Sequence, residues 1–240
     1  MNETTLKRMN QMKLFGMHQS FKGLVDTKGH QKLTQDELVN LLIQSEWEDR
    51  ENRRIERSFR NARFRYQSTM EEIDYEYQRK LDKNLLLRFT DCGFITRKEN
   101  ILITGPTGIG KSYIGSALGH QACMRSYRVL YLNAQKLFSR LKVSKADGSY
   151  LKEIDRIEKQ DLLILDDFGL QVLDQQSRMA LLEIIEDRHE RKSTIISSQL
   201  PLADWYKVMG ESTVADAILD RLFNGSHKIE LDGLSMRGNK

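Results

Sequence analysis

The C-terminal two thirds of this 240-residue chain predicts an α/β fold, a parallel sheet covered by helices on both faces. Three observations carry the prediction. Short β-branched runs alternate with helical patterns of ten residues or more. A glycine-rich turn joins the first of these runs to its helix. A later run, Leu162 to Leu165, is wholly apolar, as a strand buried on both faces requires, and it ends in Asp166 and Asp167.

Before the sheet, residues 1–65 predict a separate, small α-helical domain. Leu6, Met9, Lys13, Met17, Phe21, Leu24 and Val25 recur at three- and four-residue intervals, which predicts one helix ending at a break over residues 26–32. Thr34 and Glu37 have the spacing of a capping box, with Leu38, Leu41 and Leu42 as the stripe behind it. Residues 44–64 are highly charged, with Trp47, Ile55, Phe59 and Phe64 as rare apolar positions, the pattern of one long helix with a wet face. Residues 66–98 form a connection with one or two helices, and the second domain spans 66–240. Its strands are expected at 100–104, 128–132, 161–165, 194–198 and 228–231.

Composition narrows the classes open to the chain. At 39% hydrophobic and 30% charged, with no apolar run near the length of a membrane span, it reads as soluble and globular. Cys92 and Cys123 are too few for a disulfide framework and lack the paired spacing of a zinc site, so a reducing, cytoplasmic setting is expected. The net charge of +4 is unevenly placed. Residues 1–70 hold thirteen Lys/Arg against nine Asp/Glu, whereas the rest of the chain is balanced, which points to an acidic partner for the N-terminal region.

The glycine-rich turn is Gly105-Pro106-Thr107-Gly108-Ile109-Gly110-Lys111-Ser112, with Tyr113 following, and it satisfies G-x-x-x-x-G-K-[ST] between a strand and a helix. Glycines let the backbone curl so that successive amides face phosphate oxygens; Lys111 reaches the outer phosphates and the Ser112 hydroxyl ligates Mg²⁺. ATP and Mg²⁺ are therefore the expected cofactors. Asp166 would complete the Mg²⁺ shell and Asp167 would polarise the attacking water, unless one of the two merely caps the next turn. A further apolar strand, Thr194 to Ile196, ends in Ser197, Ser198 and Gln199. In NTPases that couple hydrolysis to mechanical work such a strand lies between the other two, so Gln199, or Ser198, would orient the water; a turn before Pro201 is the alternative.

Taken together, GPTGIGKS, DLLILDDFG, RKSTIISSQLP, DAILDRL, the closing GLSMR, LKRMNQMKLFGM and EWEDRENRRIERSFRNARF resemble the IstB-like ATPases that assist insertion-sequence transposases. These belong to the AAA+ class beside the helicase loader DnaC and the initiator DnaA. The resemblance runs from about residue 6 to 237. It implies that Arg221 is an arginine finger completing a neighbouring subunit's site and that Arg237 is a second-sensor arginine of the same subunit. A pair with Asp216, Asp220 or a nearby acid is the alternative for Arg221. The family more often has Asn where this chain has Gln199, which leaves the length of the water-orienting side chain open. Only nine residues follow the last expected strand, too few for a full C-terminal helical lid, so ATP-dependent homo-oligomerisation is expected.

Seven arginines fall within residues 50–65. On a helix Arg50, Arg53, Arg54, Arg57 and Arg60 share a face suited to a phosphate backbone, although pairing with Glu46, Glu48 and Asp49 is the competing use. Lys142 and Lys145, with Arg140, follow the second strand, where DnaA-like relatives place DNA-facing elements. No base-reading motif is visible, so the expected partners are duplex DNA bound largely without sequence specificity, a cognate transposase and further copies of the chain, with no membrane. A DnaC-type helicase loader is the alternative; a small-molecule kinase lacks an evident acceptor pocket.

Overall fold

A computed structural model describes residues 2–27, 33–210 and 212–236. The expected break over 26–32 lies mostly outside them. The chain divides into two compact units, Met1–Arg57 and Ser58–Lys240.

In the first unit the helix expected from Leu6 to Val25 is two helices, α1 (Asn2–Gln11) and α2 (Phe15–Asp26). The Leu14 amide donates to the Met9 carbonyl at 2.9 Å and Lys13 adopts φ 60°, closing α1 with a left-handed residue that is not glycine. Helix α3 (Gln35–Ala62) opens with the expected capping box. The Thr34 amide donates to Glu37 at 2.8 Å and the Glu37 amide to the Thr34 hydroxyl at 3.3 Å. Midway along α3, buried Glu46 accepts from the amides of Gly16 and Met17 at 2.9 and 3.2 Å, capping the N-terminus of α2, and from Arg50 at 2.7 Å. Burial opposes ionisation of Glu46, but Arg50 and the two amides outweigh it and hold the carboxyl below its ordinary range.

The second unit contains five parallel strands, β1 (Asn100–Thr104), β2 (Val129–Asn133), β3 (Leu162–Phe168), β4 (Ser193–Ser198) and β5 (Ser226–Glu230), in the order β2-β3-β4-β1-β5. Each expected strand is present, shifted at its ends by a few residues at most. Short helices α4 (Lys83–Leu87) and α5 (Gly93–Thr96) precede β1. Helices α6 (Lys111–Met124), α7 (Ala134–Asp147), α8 (Tyr150–Glu158), α9 (Gln175–Arg188), α10 (Trp205–Met209) and α11 (Ser212–Phe223) connect the strands.

Alternation within the strands sends side chains to two cores. Ile101, Ile103, Ile164 and Ile195 pack with Ile114 and Leu118 of α6 on one face; Leu102, Leu163, Leu165 and Ile196 pack with Leu137, Leu181 and Ile218 of α7, α9 and α11 on the other. Each such side chain contributes about 1.5–3 kcal/mol by leaving water. With both faces covered, the C-terminal ends of the central strands are where polar side chains can gather. No described helix is long and apolar enough to cross a membrane.

Candidate nucleotide site

The loop from Gly105 to Ser112 leaves β1 and enters α6. Gly105 has φ +146° and a Cβ there would lie 2.4 Å from the Leu231 carbonyl oxygen, so no side chain fits. Gly110 takes φ +99° as the N-cap of α6, turning the unsatisfied first amides of that helix toward the loop's concave side. The Lys111 ammonium donates to the carbonyls of Gly105 and Pro106 at 2.7 and 2.8 Å, placing a cation across the loop. Ile109 contributes backbone alone, because its side chain is fully buried in the core.

Both aspartates lie inside β3, which extends past the expected end at Leu165. Between Leu165 and Phe168 the register with β4 shifts, and Asp167 takes φ +57°. This bulge aims two consecutive carboxylates toward the same side, a local strain typical of functional positions. Fully buried Asp166 accepts the Ser112 hydroxyl at 2.8 Å through Oδ1, and the hydroxyls of Ser197 and Tyr131 also donate to it. Burial, together with the Asp166 charge, pushes the Tyr131 phenol upward from its ordinary pKa, so it remains a donor. Asp167 Oδ2 accepts from Asn133 Nδ2 and Arg65 Nη1, both at 3.1 Å, and the same Arg65 nitrogen is 3.5 Å from Asp166 Oδ2. Partial burial lowers the Arg65 pKa, but Tyr66, Asp167, Tyr131 and Asp166 together raise it above its ordinary value.

Strand β4 stands between β1 and β3, as expected of the third polar strand. Gln199 just beyond it accepts the Thr107 hydroxyl at 2.6 Å, tying the strand end to the phosphate loop. Ser198 turns away, donating to the Phe168 carbonyl at 2.8 Å; its neighbour Ser197 is the serine that reaches the acidic pair. Thr107, Gly108, Gly110, Lys111, Ser112, Tyr113, Asp167 and Gln199 all line one cavity of about 500 Å³. Its remaining wall comes from the segment before β1 and from Met236. There Tyr113 donates to Glu72 at 3.2 Å, the Tyr66 and Tyr113 rings are 6.1 Å apart, and Arg79 donates to the Ile109 carbonyl at 3.2 Å.

The donors suit Mg²⁺. Ser112 Oγ and Asp166 Oδ1, hard oxygens 2.8 Å apart, match the edge of about 2.9 Å in an octahedron with bonds of 2.0–2.1 Å. Among the described residues no cluster of three His, Cys, Asp or Glu forms a cage of its own.

Arg221 sits elsewhere. At the end of α11 it donates to the Ala217 carbonyl at 2.9 Å and pairs at 3.0 Å with Glu186, a nearby acid on another helix in place of Asp216 or Asp220. It lines a second cavity of about 220 Å³ with Arg97, Asn100 and His189, not the nucleotide cavity of its own chain. Arg237 lies outside the described residues. Of the basic residues singled out for DNA, Arg50 pairs with Glu46, Arg53 with Asp49 and Arg54 with Glu51 at 3.7 Å. Lys142 pairs with Asp174, and Lys145 lies 4.7 Å from the Tyr150 ring centroid. Arg57 and Arg60 are exposed and make no ion pair among the described residues, nor does Arg63.

Sequence reading missed Arg65, Arg79, Tyr131 and Asn133, and it chose Ser198 where Ser197 is the serine that reaches the acidic pair. Asn133 carries the one recoverable signal, because it ends the strand beside the acidic one and pairs in register with Asp166.

A parallel sheet whose polar third strand lies between the phosphate-loop strand and the acidic strand, with helices on both faces, is the architecture of the AAA+ ATPases. Solved structures share it. DnaI superposes with a TM-score of 0.60 at 21% identity, covering 69% of this chain and 91% of that one. AMPPCP-bound DnaA from Aquifex aeolicus gives 0.58 at 21% identity over 70% of this chain and 51% of that one, a likeness of fold. The profile of the IstB-like ATP binding proteins matches residues 7–240. The insertion sequence ATP-binding protein y4pL of Sinorhizobium fredii is 41% identical over 236 residues, 98% of this chain and 96% of that one. The chain therefore belongs to the IstB-like ATP-binding family.

Proposed function

We propose that this protein is an ATP-dependent transposition helper. It assembles on duplex DNA largely without sequence specificity, deforms it and delivers it to a partner transposase, with ATP hydrolysis regulating assembly or release. The observation that carries this reading is the coexistence of a hydrolytic constellation with Arg57, Arg60 and Arg63, basic groups that no acidic side chain occupies among the described residues. The relatives are insertion sequence ATP-binding proteins, which supplies the transposition context.

In this mechanism the phosphates of ATP settle on the Gly105–Ser112 amides, and Lys111 moves from its carbonyl contacts to the outer phosphates. Ser112 and Asp166 would hold Mg²⁺, which would neutralise charge developing on the phosphates. Gln199 orients a water; Asp167 accepts its proton as the water oxygen bonds to the γ-phosphorus and the bridging oxygen leaves with ADP. Tyr66 and Tyr113 add aromatic wall to the cavity. Arg221, remote from its own chain's cavity, is available to a neighbouring subunit's γ-phosphate, and Arg237 acts on its own.

The test is ATP turnover by the full chain alone, with duplex DNA and with single strands, in the native protein and Arg221→Ala. Stimulation by duplex that falls roughly 10³-fold or more in the variant is expected of an arginine supplied in trans. A single-strand preference would transfer the assignment to a helicase loader. Turnover indifferent to DNA and to Arg221 would overturn the assembly model.

A further inference from the structure

Among the described residues two arginines are buried, each 2% exposed, and they differ in how fully they are engaged. Every nitrogen of Arg188 has an acceptor: Nε donates to the Thr194 hydroxyl at 3.0 Å, Nη1 to the Ile157 and Gln160 carbonyls at 3.1 and 3.0 Å, and Nη2 to the Ser193 carbonyl at 2.5 Å. Arg79, in the segment before β1, is less complete. Nη1 donates to the Ile109 carbonyl and to Met236 Sδ, both at 3.2 Å, and Nη2 to the Asp74 carbonyl at 2.6 Å. Its Nε is buried with no hydrogen-bond partner, and the side chain makes no ion pair among the described residues. Burial depresses the Arg79 pKa, and Asp74, Tyr75 and Tyr77 offset that only in part. A buried charge without a counter-ion is costly, and this one borders the nucleotide cavity.

The guanidinium lies against the phosphate loop itself. A Cβ on Gly110 would come within 2.5 Å of Arg79 Nη1, so the arginine takes the space that a side chain there would fill. Gly110 is the N-cap of α6, and the positive end of a helix repels a cation placed beside it. Before any anion arrives, Arg79 is therefore in an unfavourable place.

Its hydrogen bond to the loop has a geometric consequence. A peptide unit is planar and trans, so the Ile109 carbonyl and the Gly110 amide point in opposite directions. By holding that carbonyl, Arg79 turns the Gly110 amide the other way. The preceding peptide unit is held likewise, because the Gly108 carbonyl accepts the Met236 amide at 3.0 Å. We propose that Arg79 is a positioning residue of the nucleotide site: it fixes the Ile109–Gly110 peptide so that its amide meets a phosphate oxygen, and the polyphosphate supplies the counter-charge that the buried guanidinium lacks. This adds a cation from outside the phosphate-loop motif and rests on the nucleotide reading of the cavity.

The experiment titrates the full-length native protein and Arg79→Gln with a non-hydrolysable ATP analogue, ADP and AMP in Mg²⁺ by calorimetry. Melting temperature without nucleotide and steady-state ATP turnover are measured alongside. Arg79→Gln keeps a neutral donor and removes the charge. Its affinity for the triphosphate is expected to fall roughly ten- to a hundredfold, the weight of a hydrogen bond to a charged group. The loss should be smaller for ADP and smallest for AMP. KM for ATP should rise in step while kcat stays within about threefold, as expected when ground state and transition state lose the same interaction. Without nucleotide the variant should melt at or above the native temperature, because an unpaired buried cation is gone.

A merely structural role for Arg79 would give another pattern, a lower melting temperature without nucleotide and one common factor of weakening for all three nucleotides, and that pattern would overturn the proposal. Arg79→Met removes the donor as well, should weaken all three ligands further, and carries the test if the glutamine variant does not fold. Arg79→Lys, which restores the charge, should recover most of the preference for the triphosphate over AMP. Native affinity for the triphosphate in a folded Gln or Met variant would also overturn the proposal. The two readings fail separately: a native protein that binds none of the three nucleotides sinks the nucleotide site, whereas native binding matched by the variants sinks only the role of Arg79.

Discussion

Asp166 is a charge taken wholly out of water, and it is tolerated because three hydroxyl donors, from Ser112, Tyr131 and Ser197, converge on it. Hydrogen bonds to a charged group contribute more than neutral ones, so Tyr131→Phe should cost about 1.5–3 kcal/mol of stability. In a domain of this size that lowers the melting temperature by roughly 3–12 °C, which calorimetry would read. An unchanged melting temperature would mean that the carboxylate finds another donor. The spacing of the glycines, Lys111 and Ser112, and the apolar run before Asp166, made half of this site legible in sequence, because local geometry alone places them. Tyr131 and Arg65 were not legible. They meet Asp166 only because β2 and the chain beyond α3 are brought to the C-terminal end of β3, and no spacing in the chain records that.

At the level of elements, the N-terminus of α2 is capped by a residue of α3 rather than by its own chain neighbours. Glu46→Ala would strand two amides and Arg50, and should destabilise that helix pair by about 1.5–3 kcal/mol. The acid behaviour follows from the lowered Glu46 pKa. Its contribution is fully present above the ordinary value of 4.5 and is lost as pH falls through the lower folded value. Exchange of the Gly16 and Met17 amides should therefore quicken below about pH 4.5 in the native protein, and Glu46→Gln should remove that pH dependence. The same helix carries Arg57 and Arg60, and Arg63 follows its end. Replacing Arg57, Arg60 and Arg63 by alanine should flatten the salt dependence of duplex binding by about 0.9 per lost contact; an unaltered slope in a fluorescence titration would show that DNA lies elsewhere. The break between α1 and α2 escaped sequence reading for a physical reason. Met12, Lys13 and Leu14 include neither glycine nor proline, and the apolar period runs on across them although Lys13 is left-handed.

For the whole molecule, Arg221 lies outside its own nucleotide cavity, and the proposed function gives it to the site of another copy. Sedimentation at micromolar protein should show assemblies in ATP and duplex DNA that Arg221→Ala weakens, and a monomer under all conditions would count against the arrangement. The sheet itself was legible throughout, since five apolar runs separated by helical patterns admit few parallel orders, and the position of β4 followed from its polar end. What the pattern did not disclose is how the chain returns to its phosphate loop. Leu231 and Met236 donate their amides to the Thr104 and Gly108 carbonyls, and the Asp232 amide donates to that of Arg79. During synthesis the loop emerges from the ribosome long before the segment that braces it. At about 5–20 residues per second, the nascent loop waits on the order of ten seconds for Met236. For that interval the growing polypeptide carries a phosphate-binding signature without a finished wall around it, so competence to hold nucleotide arrives late and all at once.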